Sequence, residues 1–153
     1  MTPKPDFDVT AAHKYFSTHC FNDAWDFIDK KERTAEETEQ MIQLCQASLW
    51  HWSRREDATD QNRSVGYWQA SRVYSLAGLP ESARRYGKLS LEAAAGCLPF
   101  YKGYAYEALA RAERIAGDRP RMKEYLSLAR QQAEAVKNVE EKKILEADLD
   151  SLK

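Results

Sequence analysis

One pattern constrains this chain more than any other: a stretch of about thirty residues is written twice, 39 positions apart. Tyr67 to Ala95 reads YWQASRVYSLAGLPESARRYGKLSLEAAA, and Tyr106 to Glu134 reads YEALARAERIAGDRPRMKEYLSLARQQAE. At that offset Tyr67 meets Tyr106, Arg72 meets Arg111, Ala77-Gly78 meets Ala116-Gly117, Tyr86 meets Tyr125 and Leu89 meets Leu128. Self-similarity at a period of roughly 20–50 residues marks stacked supersecondary units, each unable to bury its apolar face alone. Each copy reads as helix, tight turn, helix. Gly78 and Gly117 sit where the residue after a helix needs positive φ, and Pro80 and Pro120 follow in the first turn of the next helix, where a missing N–H costs nothing. Asp118 is placed to cap the second helix of its unit.

The rest of the chain is helical in outline. A first helix is expected over about 8–30, with Phe16, Cys20, Ala24, Phe27 and Ile28 at helical spacing and Asn22-Asp23 as a place to kink or split it. Thr34 with Glu37 three residues on predicts a capping box opening a second helix, with Met41, Leu44, Cys45, Ser48, Leu49 and Trp52 as its buried stripe and an end near Arg54–Arg55. Helices are expected over about 60–77, 80–95, 99–116 and 119–136. The fifth carries a stripe of Tyr101, Tyr104, Ala105, Ala108, Leu109, Ala112 and Ile115. Asn138 with Glu141 opens a charged last helix, a polar cap on a helical stack. No segment alternates with period two for long enough to make a strand. The expected fold is all-α: antiparallel hairpins over about 8–54, 60–95 and 99–136 plus a capping helix over about 139–152, stacked as a short right-handed superhelix in one domain. At 153 residues such a domain buries a core without staples.

Charge is unevenly spread behind a net of −1. Residues 1–62 carry −5, residues 63–132 carry +6 and residues 133–153 carry −2. The repeated part is basic and its flanks acidic, which reads as complementary solvated faces or as a surface for an acidic peptide or a nucleic acid. No nucleic-acid motif accompanies the basic block, which argues against nucleic acid. No run approaches the roughly 20 apolar residues of a membrane span, and MTPKPDFDVT holds no apolar leader segment. Cys20, Cys45 and Cys97 lack metal or redox spacing and read as reduced core cysteines of a cytoplasmic protein. His13, His19 and His51 fit no metal motif, and no phosphate loop or nucleophile signature is present. Aspartates and glutamates are expected on helix exteriors. The chain therefore reads as non-enzymatic, with no catalytic residue, metal or cofactor, and Trp50, Trp52 and Tyr67 read as core.

The hairpins resemble tetratricopeptide repeats. The first unit supplies Tyr67, Ala70-Ser71, Tyr74, Gly78 and Ala83 at that family's aromatic, small and turn positions; the second supplies Tyr106, Leu109-Ala110, Gly117 and Ala129. The period of 39 exceeds the family's roughly 34 residues, and Glu113 stands at the position of the second aromatic. The resemblance implies a protein- or peptide-binding adaptor whose first helices line a concave groove. Val65, Trp68, Arg72 and Ser75 would face it from one unit, and Tyr104, Glu107, Arg111 and Arg114 from the next. Arg72 and Arg111 would form a ladder for a carboxylate, either a ligand's or that of Glu107. Substituting both by alanine is expected to abolish partner binding and leave the melting temperature unchanged. The alternatives are a homo-oligomer, at simplest a homodimer, and a small-molecule or RNA binder using the basic hairpins.

Overall fold

The computed structural model describes residues 1–152 and is built of α-helices, with no strand among them. The helices are α1 (Val9–Ile28), α2 (Ala35–Ser53), α3 (Asp60–Leu76), α4 (Pro80–Ala93), α5 (Pro99–Ala116), α6 (Arg119–Ala135) and α7 (Val139–Asp150), with a short 3₁₀ turn at Ala94–Gly96. They group into two compact units, one from Met1 to Ala58 and one from Thr59 onward. No helix among the described residues is long and apolar enough to cross a membrane.

The first unit is the hairpin α1–α2. Asp8 caps α1, and Arg33 closes its far end by donating to the carbonyls of Phe27 and Lys30. The capping box forms as expected: Thr34 accepts from the Glu37 N–H and the Glu37 side chain from the Thr34 N–H. The core is Cys20, Ala24 and Ile28 against Met41 and Cys45, with the Ser48 hydroxyl donating to the Ser17 carbonyl at 2.7 Å. Burial pushes the Cys45 thiol up to about 12, which makes it an inert core residue. Helix α1 runs unbroken through Asn22-Asp23, because Asp23 faces solvent one turn from His19 and pairs with it at 3.1 Å. Two expected core residues are instead outside. Phe16 is 43% and Trp50 57% exposed. Both lie at a surface cluster of rings: Trp50 meets His13 and His51 edge-on, and Phe16 lies against His51.

At the centre of that cluster the Nδ1 atoms of His13 and His51 are 2.8 Å apart, so one imidazole donates to the other across the hairpin. Desolvation, and then the His13 charge, hold the His51 pKa below its ordinary value. A histidine with a depressed folded pKa binds fewer protons folded than unfolded, so its contribution is intact above about 6.5 and is lost as pH falls toward the folded value. Asp57, held down to about 2 mainly by the Arg55 hydrogen bond, releases its contribution only further into acid. The melting temperature is therefore expected to drop from about pH 7 to about pH 5, and to drop less in a His51→Gln variant. An equal acid response in both proteins would remove the pair as the cause.

The second unit holds the repeat. Helix α3 packs on α4, α5 on both of them and on α6, and α7 on α5 and α6. The two turns match position for position. Gly78 and Gly117 have φ of 75° and 78°, and the N–H groups of Leu79 and Asp118 reach back to the carbonyls of Tyr74 and Glu113 at 2.9 and 3.0 Å. That closes both helices with the six-residue loop only a left-handed residue permits. Ring pairs repeat at the same offset: Tyr67–Tyr86 at 6.2 Å and 30°, Tyr106–Tyr125 at 6.4 Å and 28°. Small residues bring α3 and α4 close. Ser64 and Ser90 exchange hydroxyl-to-carbonyl bonds, and Ser71 donates to the Ala83 carbonyl. Ile115, expected on the buried stripe of α5, is 40% exposed near that helix's end, and Cys97 is only partly buried.

Candidate functional site

The residues expected to line a groove fall into two groups on adjoining turns of α3 and α5. One group is charged and internal. Glu107 is fully buried, and its Oε2 accepts from the Trp68 indole N–H at 2.9 Å while its Oε1 takes Arg72 Nη2 at 3.3 Å and Arg111 Nε from one turn along its own helix. Trp68 and Glu107 are 39 apart. They occupy the same place in successive units, which sets them side by side. A second buried carboxylate, Glu113, receives Arg84 through two bonds of 2.7 and 2.8 Å.

These pairs correct two expectations. The carboxylates do not all lie on helix exteriors: Glu107 and Glu113 are inside because each meets a guanidinium there, as a buried charge must. The arginine ladder serves Glu107, one of the two carboxylates expected for it, and the expected melting behaviour changes with that. Removing Arg72 and Arg111 together would strip a buried carboxylate of its counter-ions, so a loss of stability replaces the expected unchanged melting temperature. Ser75 is buried, and its hydroxyl has no hydrogen-bond partner among the described residues. Arg114 is exposed and turns to α7, donating to the Ser151 carbonyl at 3.4 Å.

The other group is apolar and open. Val65 and Trp68 of α3 and Tyr104 of α5 join Ser64, Phe100 and Tyr101 around a cavity of about 220 Å³. Its rings stand nearly upright on one another: Trp68 and Tyr104 meet at 71°, Phe100 and Tyr104 at 80°, Phe100 and Tyr101 at 86°. Polar atoms at its edge are largely spoken for. Ser64 bonds Ser90, the Trp68 N–H goes to Glu107, and the Tyr104 hydroxyl donates to Asp148 of α7 at 2.6 Å. Desolvation first and Asp148 second push the Tyr104 pKa upward, so the phenol stays protonated.

Helix α7 therefore backs one wall. Leu145 and Leu149 are fully buried against Ala129, Ala133 and Val136, with Tyr104 and Phe100 packed alongside. The aromatic content of α3 and α5 was readable, but Phe100 was not. Its counterpart one unit earlier is Gln61, so the repeat carries no signal for it. Asp148 is one of several acidic residues of the charged last helix, and nothing in the sequence marks it as the partner of Tyr104.

Among the described residues no group of three or more histidine, cysteine, aspartate or glutamate side chains could hold a metal ion. The arrangement is a small aromatic cavity beside an ion network in which the buried Arg72 Nε has no hydrogen-bond partner among the described residues. Compared with protein-family models, curated proteins and solved structures, the chain matches none, so the site rests on its own geometry.

Proposed function

We propose that this chain is a non-enzymatic protein- or peptide-binding module of tetratricopeptide-repeat type. In this reading the face of α3 and α5 receives a segment of a partner protein and the aromatic cavity anchors one of its side chains. The cavity carries the reading. It lies between the first helices of two successive units, where a repeat stack presents its inner surface, and it includes Val65, Trp68 and Tyr104 of the groove face. Aromatic anchors in a concave apolar site supply most of the binding energy of an interface at low entropic cost. Repeat character is supported by the matched glycine turns and tyrosine pairs and by the packing of α5 on both helices of the preceding unit. The arginines take a supporting part, holding Glu107 and through it Trp68. Arg63, Arg72, Arg84 and Arg111 are all paired with carboxylates, which lowers the charge left for a nucleic acid. Three free thiols fit a reducing compartment such as the cytoplasm.

The test uses a peptide digest of native lysate passed over wild type and a Val65→Glu variant, which puts a charge into the cavity. Segments held by wild type and lost by the variant, with melting temperature preserved, are the expected result. Equal retention by both, or none by either, overturns it. A second reading, self-association, draws on Tyr15, Phe16 and Trp50 exposed on the first unit. Light scattering decides it: a monomer at high concentration removes it.

A further inference from the structure

The cavity's chemistry narrows what it takes. The lining is almost wholly carbon, and the Ser64 and Tyr104 hydroxyls and the Trp68 indole at its edge are committed to Ser90, Asp148 and Glu107. A bare ammonium would bring three N–H donors into it and find few acceptors, and a carboxylate or amide would fare no better. A neutral aliphatic group would fit but would make no use of the cavity's electrostatics. Four rings, from Trp68, Phe100, Tyr101 and Tyr104, stand at near right angles to their neighbours, and aromatic faces carry the negative pole of the ring quadrupole.

Carboxylates of α7 add to that. The Tyr104 hydroxyl donates a hydrogen bond to the Asp148 carboxylate, which enriches its ring in electron density. Besides burial, the charge of Glu141, also on α7, raises the Tyr101 pKa. Glu107 bonds Trp68 from α5. The cations on this side are Arg72, whose guanidinium lies 5.6 Å from the Trp68 ring centroid, and Arg111, and both are drawn to Glu107. An alkylated ammonium meets every condition: positive, apolar on its surface and without N–H donors.

Building on the groove reading above, we infer that the cavity bounded by Trp68, Phe100, Tyr101 and Tyr104 is an aromatic cage for a methylated ammonium group, presented as a trimethylated lysine side chain in the partner segment. A lysine stem is long enough to carry the group off an extended segment lying on the α3–α5 face. Methylation removes the hydration that keeps an ordinary lysine head in water.

The test is NMR titration of the full chain, read at the Val65 methyls and the Trp68 indole N–H. The probes are choline, its neutral isostere with tert-butyl in place of trimethylammonium, a short peptide with one trimethyllysine, and the unmethylated twin of that peptide. Choline and the methylated peptide are expected to shift both reporters saturably. The isostere and the unmethylated twin are expected to bind about 10-fold more weakly than their partners, and the methylated peptide more tightly than choline. Tyr101→Leu, which keeps an apolar wall but removes a ring face, should weaken choline several-fold and leave the isostere unchanged. Isostere binding equal to choline's overturns the cage and leaves the cavity as an ordinary apolar anchor. Choline binding at least as tight as the peptide's overturns the lysine source in favour of a free or lipid-borne headgroup. If no probe shifts the reporters while wild type still retains lysate segments that Val65→Glu loses, the cage falls and the groove stands. If those segments are absent too, both fall.

Discussion

Replacing Glu107 by alanine is expected to lower the melting temperature by roughly 6–20 °C, the largest effect of any single charged residue in the chain. The carboxylate is wholly buried and is shared by Arg72, Arg111 and the Trp68 indole. Its removal leaves two guanidiniums, 17% and 19% exposed, facing one another with no acceptor between them. Breaking a buried pair from one side costs ~3–5 kcal/mol, because the partner charge remains desolvated. The pair itself contributes far less than that. Replacing Glu107, Arg72 and Arg111 together by leucine should therefore recover most of the loss, short of about 1 kcal/mol for the orphaned indole N–H. Thermal and denaturant unfolding of the single and triple variants checks this. A single variant within about 1 kcal/mol of wild type would mean that water reaches the network.

The second large effect lies where α4 meets α5. A Cβ built on Gly87 would stand 2.8 Å from Leu109 Cδ2 and 3.0 Å from Leu109 Cγ, with Ser71 Oγ at 3.4 Å. Leu109 is 1% exposed and has little room to withdraw. Leu109→Ala should cost ~2–5 kcal/mol through the cavity it leaves, and Gly87→Ala ~1–3 kcal/mol through overpacking. The double variant should cost less than the two together by about 0.5–3 kcal/mol, since the added methyl enters the space the leucine vacates. Additive losses in a double-mutant unfolding cycle would show that the helices separate instead of sharing that contact.

How much of this was legible depended on which interactions repeat. The helix ends could be read because caps are local: Thr34 with Glu37, Asp118 and Asn138, and the paired Gly78 and Gly117 turns, each need only residues within a few positions. The contact between successive first helices was partly legible. Arg72 and Arg111 were picked out by their common offset, but which carboxylate they serve is a three-dimensional fact. Glu107 could be named as one of two candidates but its burial could not be read, and Glu113 looks like a departure from the repeat where Tyr74 stands one unit earlier. In the fold Tyr74 stacks on Tyr86 at 5.4 Å and 2°, whereas Glu113 instead binds Arg84 of the preceding unit, so the departure is an inter-unit tie. Trp50 was misjudged for the opposite reason. Size suggests burial, but its position on α2 turns away from Met41, Cys45 and Ser48, and only the ring cluster around His13 and His51 covers it. The aromatic cavity needed Phe100 and α7, neither of which the repeat announces.

Tyr104 belongs to two structures at once. Its ring is a wall of the cavity, and its hydroxyl is bonded to Asp148 of α7. Whatever fills the cavity must hold that ring still, and holding it still favours the docked helix. A bound ligand should thus slow hydrogen exchange along α7. Thermodynamic reciprocity then requires that a chain with α7 undocked bind the ligand more weakly by the same factor. The terminal helix becomes a gauge of occupancy, and any modification that loosens it would be felt as a change in affinity at a site it does not line.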